Sequence, residues 1–237
     1  MSNLIVANEI WKTFPDAFLG VIIFQGIANK GESGEVMSAL RAEEEQIPSR
    51  FQSVSVNDHP HIAPWREAYR KFGAKPKDYP SSIENLCRRM IKGHRLPHIN
   101  LLVDIYNTIS LRYVLPTGGE DLDQTTGDIQ LTFAGENEAA VKLLGEPEER
   151  APKPGEVIYK DDVGAICRRW NWKEADRTKL TEETKNGILI IEGLPPVDRS
   201  LVQKAIEELS TLVQTYCGGS NRTEIVSASN PVILLRD

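Results

Sequence analysis

The spacing of hydrophobic residues changes several times along the chain, and each change predicts an element. FLGVIIFQGI, Phe18 to Ile27, is a continuous apolar run ended by Gly31, as expected of a strand inside a sheet. Gly34 to Gln46 has helical spacing and turns acidic at Glu43, Glu44 and Glu45. A second helix starts between Pro60 and Pro64, passes through Tyr69 to Phe72 and stops at Gly73. GAKPKDYP breaks regular structure and delivers Ser81 or Ser82 as an N-cap, with Glu84 completing a capping box after Ser81. Ile83, Leu86, Cys87, Met90 and Ile91 then form one apolar face flanked by Arg88, Arg89 and Lys92. INLLVDIYNTISLRY, Ile99 to Tyr113, has Leu102, Ile105, Ile109 and Tyr113 on one stripe, while Asp104 and Asn107 project together off it.

LPTGGEDLD reads as a turn-rich link whose Gly118 and Gly119 allow backbone amides to approach a ligand, although a plain hairpin connection is the more ordinary reading. Asp128 to Ala134 alternates as a half-buried strand does, and Val157–Lys160, Gly164–Cys167 and Ile188–Ile191 are short strand candidates. PPVDRSLVQKAIEELSTLVQTYCGG opens on proline, closes on Gly218 and Gly219, and carries a helical stripe from Leu201 to Val213. Strands and helices mix without strict alternation. The expected fold is therefore α+β, a mixed and largely antiparallel sheet packed with helices. Residues 1–60 read as an N-terminal extension packed on the core, with its strand at 18–27 and its helix at 34–46. Residues 61–220 read as the main domain, and 221–237 as a C-terminal tail or strand.

With 237 residues, 40% of them hydrophobic, there is enough apolar material for a core. No apolar run approaches the roughly 20 residues that span a bilayer, and the N-terminus lacks a secretory pattern, so a cytoplasmic protein without membrane contact is expected. Cys87, Cys167 and Cys217 contain no C-x-x-C pair, and His59, His61, His94 and His98 are irregularly spaced. Neither a disulfide framework nor a metal set follows, and no cofactor is expected. The spacing says nothing of oligomeric state.

Net charge is −6, but Trp65 to Arg95 holds nine Lys or Arg against three acids, +6 locally, which leaves −12 elsewhere. Arg66, Arg70, Lys71, Lys75, Arg88, Arg89 and Lys92 are the candidate RNA-binding residues of that segment. The plainer reading is a pair of solvated helices with paired charges. A second concentration lies at CRRWNW, where Arg168, Arg169, Trp170, Asn171 and Trp172 put two guanidinium groups, two indoles and an amide side by side. A polar arch exposing them, with Arg177 just beyond, suits a ligand that combines charge, ring and amide. Here too a plainer reading exists, with core tryptophans and solvated arginines.

These residues carry a resemblance. INLLVDIYNTISLRYVLPTGGEDLD resembles the segment of the phenylalanyl-tRNA synthetase beta subunit that reads roughly Pro-Val-Val-Asp-Val-Thr-Asn and then Gly-Gln-Pro-Leu-His, with Asp104 and Asn107 at its Asp and Asn. GENEAAVKLLGEPEERAPKPGEVIYKDDVGAIC and KLTEETKNGILIIEGL resemble that subunit's strand ending in Asp-Asp and its Thr-Asp-Glu-Thr-x-Asn-Leu-Leu-Leu-Glu run. This is the B3/B4 domain, and CRRWNWKEADRTKLTEETKN is similar to free-standing B3/B4 proteins. The resemblance covers about Trp65 to Gly219 and departs from the synthetase at Gly118, which stands for its His, at Tyr106, which stands for its Thr, and at CRRWNW, which replaces a Gly-Gly loop.

What the resemblance implies is an editing domain that hydrolyses mischarged tRNA, with Glu192 at the glutamate that reads a tyrosine hydroxyl. Ester hydrolysis needs a held water and donors aimed at the developing oxyanion, so Asn107 and Arg168 as donors and Glu192 to orient the water are the expected catalytic groups. Asp104, Thr117, Gly118, Arg169, Trp170, Asn171, Trp172 and Arg177 are the expected substrate contacts, and aminoacylated tRNA with its amino-acid moiety is the partner. Two classes stay open: a trans-acting aminoacyl-tRNA deacylase, and a non-catalytic module that binds RNA or an amino acid. No G-x-S-x-G motif supports a serine hydrolase.

Overall fold

A computed structural model describes residues 1–236. In chain order its elements are β1 (Ser2–Val6), α1 (Asn8–Thr13), β2 (Phe18–Gln25), α2 (Gly34–Arg50), α3 (Ala63–Lys71), α4 (Ser82–Ile91), α5 (Leu101–Tyr113), β3 (Thr117–Asp121), β4 (Ile129–Phe133), β5 (Val141–Lys142), β6 (Glu149–Arg150), β7 (Val157–Lys160), β8 (Ala165–Arg168), β9 (Lys173–Glu174), β10 (Gly187–Gly193), α6 (Arg199–Cys217), β11 (Ser220–Val226) and β12 (Val232–Arg236).

The strands form a six-stranded sheet in the order β12-β1-β4-β7-β8-β9, a four-stranded sheet in the order β11-β2-β10-β3, and a small β5–β6 pair. Every pairing is antiparallel except β1 with β4. The fold is α+β with mixed, mostly antiparallel sheets.

The uninterrupted apolar run of β2 sets the layering. Alternate residues point to opposite faces, so Leu19, Val21 and Ile23 join Ile188 and Ile190 of β10 against Leu4, Leu131 and Tyr159 of the other sheet. On the opposite face Ile22, Phe24, Leu189 and Ile191 meet α5 and α6. Gly20 lets α6 come close, because a Cβ there would lie 2.7 Å from Val202 Cγ1. A third core joins α2, α4 and α5 through Leu40, Ile47, Ile83, Cys87 and Leu111.

Local signals explain the helix ends. Ser81 Oγ accepts the Glu84 N–H at 3.4 Å to open α4, and Asn100 Oδ1 accepts the Val103 N–H at 3.0 Å to open α5. α2 continues past Gln46 to Arg50, with Pro48 in its last turn, where only one amide bond is forgone.

Thr117–Asp121 is not a link but an edge strand, with Gly118 opposite Ile190 and Glu120 opposite Ile188. Residues 1–60 contribute β1 and β2, each lying between two other strands, and residues 221–236 contribute most of β11 and all of β12.

Candidate functional site

Between the inner faces of the two sheets lies a cavity of about 390 Å³, bounded on its helical side by α4 and α5. Strand parity decides what it sees. On β10, Ile188, Ile190 and Glu192 share a face, and their partners on β3 bring Gly118 and Glu120 onto it. From the other sheet Tyr159, Cys167 and Glu174, which are aligned by the β7–β8 and β8–β9 registers, face inward. Tyr106 and Asn107 enter from α5 and Arg89 from α4.

The segment joining β8 to β9 is strained. Arg169 and Trp170 both have left-handed backbones, with φ of 50° and 63°, a conformation that burdens residues with a Cβ by about 1–3 kcal/mol each. It is held by the Trp170 N–H donating to Val157 O at 2.7 Å and the Trp172 N–H donating to Arg168 O at 3.2 Å. The turn buries Trp170 completely, edge-on against Phe14 and Trp65, and projects Asn171 into the cavity.

Asn171 meets Glu192 there. Its Nδ2 donates to Glu192 Oε2, its Oδ1 accepts from Tyr69 OH at 2.7 Å, and Tyr159 OH donates to Glu192 Oε1 at 2.6 Å. Burial pushes the Glu192 carboxyl up to about 7, against the pull of the Tyr159 and Asn171 hydrogen bonds. Across the cavity Glu174 is likewise raised to about 7 by its withdrawal from water, although the Gly119 N–H donates to its Oε1 at 3.3 Å. Glu120 is held well above the carboxylate range, first by burial and then by the charge of Glu174. The Trp170 indole lies toward Glu192 and favours its charged form, whereas two buried polar atoms of wall residues, Ser82 Oγ and Glu120 Oε2, have no partner among the described residues. Such atoms ask for a ligand or solvent.

Asn107, Thr117, Gly118, Trp170, Asn171, Trp172 and Glu192 are thus brought together, but four other predicted site residues are not. Arg168, on the outer face of β8, grips Glu156 with Nε and Nη2 at 2.8 Å each. Its fork is held by that carboxylate and it does not line the cavity, which leaves it out of reach of an oxyanion there. Arg169 is buried too, 3.5 Å from Glu156 and stacked over Tyr79 and Trp172, with its guanidinium carbon 3.7 and 4.5 Å from the ring centroids. The polar arch is therefore an internal clamp rather than an exposed surface. Asp104 is buried against His98 Nδ1 at 2.5 Å, and Arg177 closes on Asp161.

The basic segment divides in the same way. Arg66 and Arg88 converge on buried Glu84 at 2.6 and 2.8 Å, and Arg70 pairs with Glu67. Lys71 lies over the Phe14 ring, 5.4 Å from its centroid, while Lys75 and Lys92 are exposed. Of the seven candidates only Arg89 lines the cavity.

The residues missed in the sequence are Tyr69, Tyr159, Glu120 and Glu174. Inward parity on a buried strand was an available signal for Tyr159. Glu120 was masked by its turn-like glycines and Glu174 by its charged neighbours. No group of three or more His, Cys, Asp or Glu side chains able to hold a metal ion occurs among the described residues.

An α+β domain whose two sheets enclose a cavity lined by carboxyl groups is the class these features define. The chain belongs to the B3/4 domain family, whose model matches residues 64–218. Among solved structures it is similar to an N-terminal fragment of the phenylalanyl-tRNA synthetase beta subunit from Pyrococcus horikoshii, at 12% identity and a TM-score of 0.46. That match covers 92% of this chain and 50% of the other, so the chain spans half the length of the solved fragment. No curated protein matches the chain.

Proposed function

We propose that the chain is an editing-type hydrolase that cleaves the ester of mischarged aminoacyl-tRNA in trans, without a cofactor. The observation that carries this is Glu192, a buried carboxyl group at a cavity wall, held in position by Tyr159 and Asn171 and raised to about 7. A base poised near neutrality takes a proton from water with little penalty. Each Glu192 oxygen has one bonded partner and a further lone pair, so a water can be oriented there.

Attack of that water on the ester carbonyl forms a tetrahedral oxyanion. Asn107 and the second amide hydrogen of Asn171 are the side-chain donors at hand, each worth about 3 kcal/mol when aimed at that oxygen. The intermediate collapses by breaking the bond to the ribose oxygen, which recovers the proton from Glu192. The ester is already activated, so positioning supplies most of the acceleration. Arg89, with the exposed Lys75 and Lys92, is the phosphate-facing set for the acceptor end. The substrate places this activity in the cytoplasm, and no helix among the described residues is long and apolar enough to cross a membrane.

A non-catalytic module that binds an amino acid or RNA is the second reading, favoured by the fact that both Glu192 oxygens already have protein donors. Amino-acid release from a set of mischarged tRNAs separates the two. Catalysis above the spontaneous rate, lost about a hundredfold for every substrate in Glu192→Gln, is expected of a base. If that variant changes only which amino acid is released, Glu192 reads the side chain instead. No acceleration with tRNA still bound establishes the binder.

A further inference from the structure

Glu120 is 5% exposed and lies on the cavity wall. Its Oε2 has no partner within hydrogen-bond geometry among the described residues, and its one hydroxyl neighbour, Thr178, carries no charge to balance it. Glu174 shares that wall and occupies the space a side chain at position 118 would fill, since a Cβ on Gly118 would lie 2.6 Å from its Oε1. The missing side chain therefore lets a carboxylate point into the cavity.

The charges around this pair do not neutralise it. Arg177, on the chain just after β9, is engaged by Asp161, and Lys173 is engaged by Glu146. From β10, α5 and β8 the facing groups are Glu192, Tyr106 and Cys167, which are neutral or negative in every ionisation state. The remaining cation, Arg89, enters from α4.

We propose that Glu120 and Glu174 form a cation subsite of the cavity that takes an ammonium group of the ligand. This rests on the cavity being the ligand site, as above, but not on hydrolysis. With no cation in place the pair keeps a proton, because burial and the neighbouring carboxylate both oppose ionisation. An ammonium group replaces that proton and supplies a donor to Glu120 Oε2. Tyr106 adds an aromatic ring to the same wall, suited to the methylenes beside a charged nitrogen, whereas the Trp172 ring already carries Arg169 and Lys173. An ammonium group reaches such a cavity either as the α-amino group of an aminoacyl ester or as the end of a basic side chain.

Titration calorimetry of the full chain at pH 7 distinguishes these sources with three probes: norleucinamide, with an α-ammonium only; 6-aminohexanamide, with a terminal ammonium only; and hexanamide, with neither. At least one amine should bind about tenfold or more tighter than hexanamide, and the preferred amine identifies the source. Binding should release protons, seen as a heat that varies with buffer ionisation enthalpy. Glu120→Gln and Glu174→Gln should each remove the preference and the proton release while leaving hexanamide unchanged. Equal affinities, no binding of either amine, or an undiminished preference in both variants would overturn the subsite. Amine binding of the expected kind in a chain that releases no amino acid from any tRNA keeps the subsite and removes the hydrolase. Hydrolysis whose KM is unmoved by Glu174→Gln does the reverse.

Discussion

Glu84 and Glu156 are as deeply buried as Glu120 and Glu192, with all four between 1% and 5% exposed, yet their surroundings have nothing in common. Glu84 sits between Arg66 and Arg88, and Glu156 is gripped by Arg168 with Arg169 nearby. Glu43 follows the same pattern, with Arg50 at 2.9 Å and Arg112 at 2.7 Å. In the cavity, by contrast, no cation among the described residues pairs with Glu120 or with Glu192, whose oxygens accept from a phenol and an amide. The countercharge sets the two groups apart and an unbonded oxygen alone does not, since Glu84 Oε2 and Glu120 Oε2 both lack a partner among the described residues. The difference separates two uses of a buried acid. One clamped by arginine joins elements and has little left to offer, whereas one left without a countercharge keeps its capacity to accept a proton or a cation.

The comparison can be broken most sharply at Arg168. Arg168→Ala leaves Glu156 with only its more distant arginine and should lower stability by about 3–5 kcal/mol, measured by denaturant unfolding. The cavity's chemistry should survive in whatever remains folded. Lost turnover with unchanged stability would return Arg168 to the site.

A smaller effect is expected in the pH dependence of stability. The Glu192 carboxyl is raised from its usual 4.5 to about 7 in the folded chain, so its contribution is fully present below 4.5 and is lost as pH rises through 7. A shift of this size corresponds to roughly 3 kcal/mol. Unfolding free energies from pH 4 to 8 should show wild type losing stability across that window and Glu192→Gln losing less. Parallel profiles would show that the carboxyl is not held protonated.

The smallest effect concerns RNA. If the cation at the cavity contacts phosphate and the clamped ones do not, Arg89→Ala should reduce the log–log salt slope of tRNA binding by about 1. Arg66→Ala should leave the slope unchanged. Equal losses in both variants would erase the distinction between paired and available arginines.

Much of this frame was legible in the sequence because it rests on local signals. The run at β2 announces a strand buried on both faces, Ser81 and Glu84 mark the start of α4, and the stripe of α6 is unbroken. What was hidden depends on partners far away in the chain. Arg168 and Arg169 read as free forks because their carboxylate lies twelve or thirteen residues upstream, across the β7–β8 hairpin. β1 is five residues long and gains its meaning only from β12 and β4. Thr117–Asp121 looked like a turn because two glycines suit one, and only its pairing with β10 shows Glu120 facing inward. Glu192 was visible as an acid ending an apolar strand, whereas the tyrosine and the asparagine that hold it come from separate parts of the chain.

The pairing of β2 also bears on how the chain reaches this structure. Phe24 pairs with Gly187, 163 residues later, and Gln25 with Ser220, later still. During synthesis the segment FLGVIIFQ is therefore complete long before either neighbour exists. Such non-local pairing slows folding, and an apolar, uncharged strand waiting for partners is prone to pair with other chains. Growing chains would therefore depend on early shielding of this one strand, from chaperones or from the helices that emerge soon after it, and refolding yield should fall as protein concentration rises.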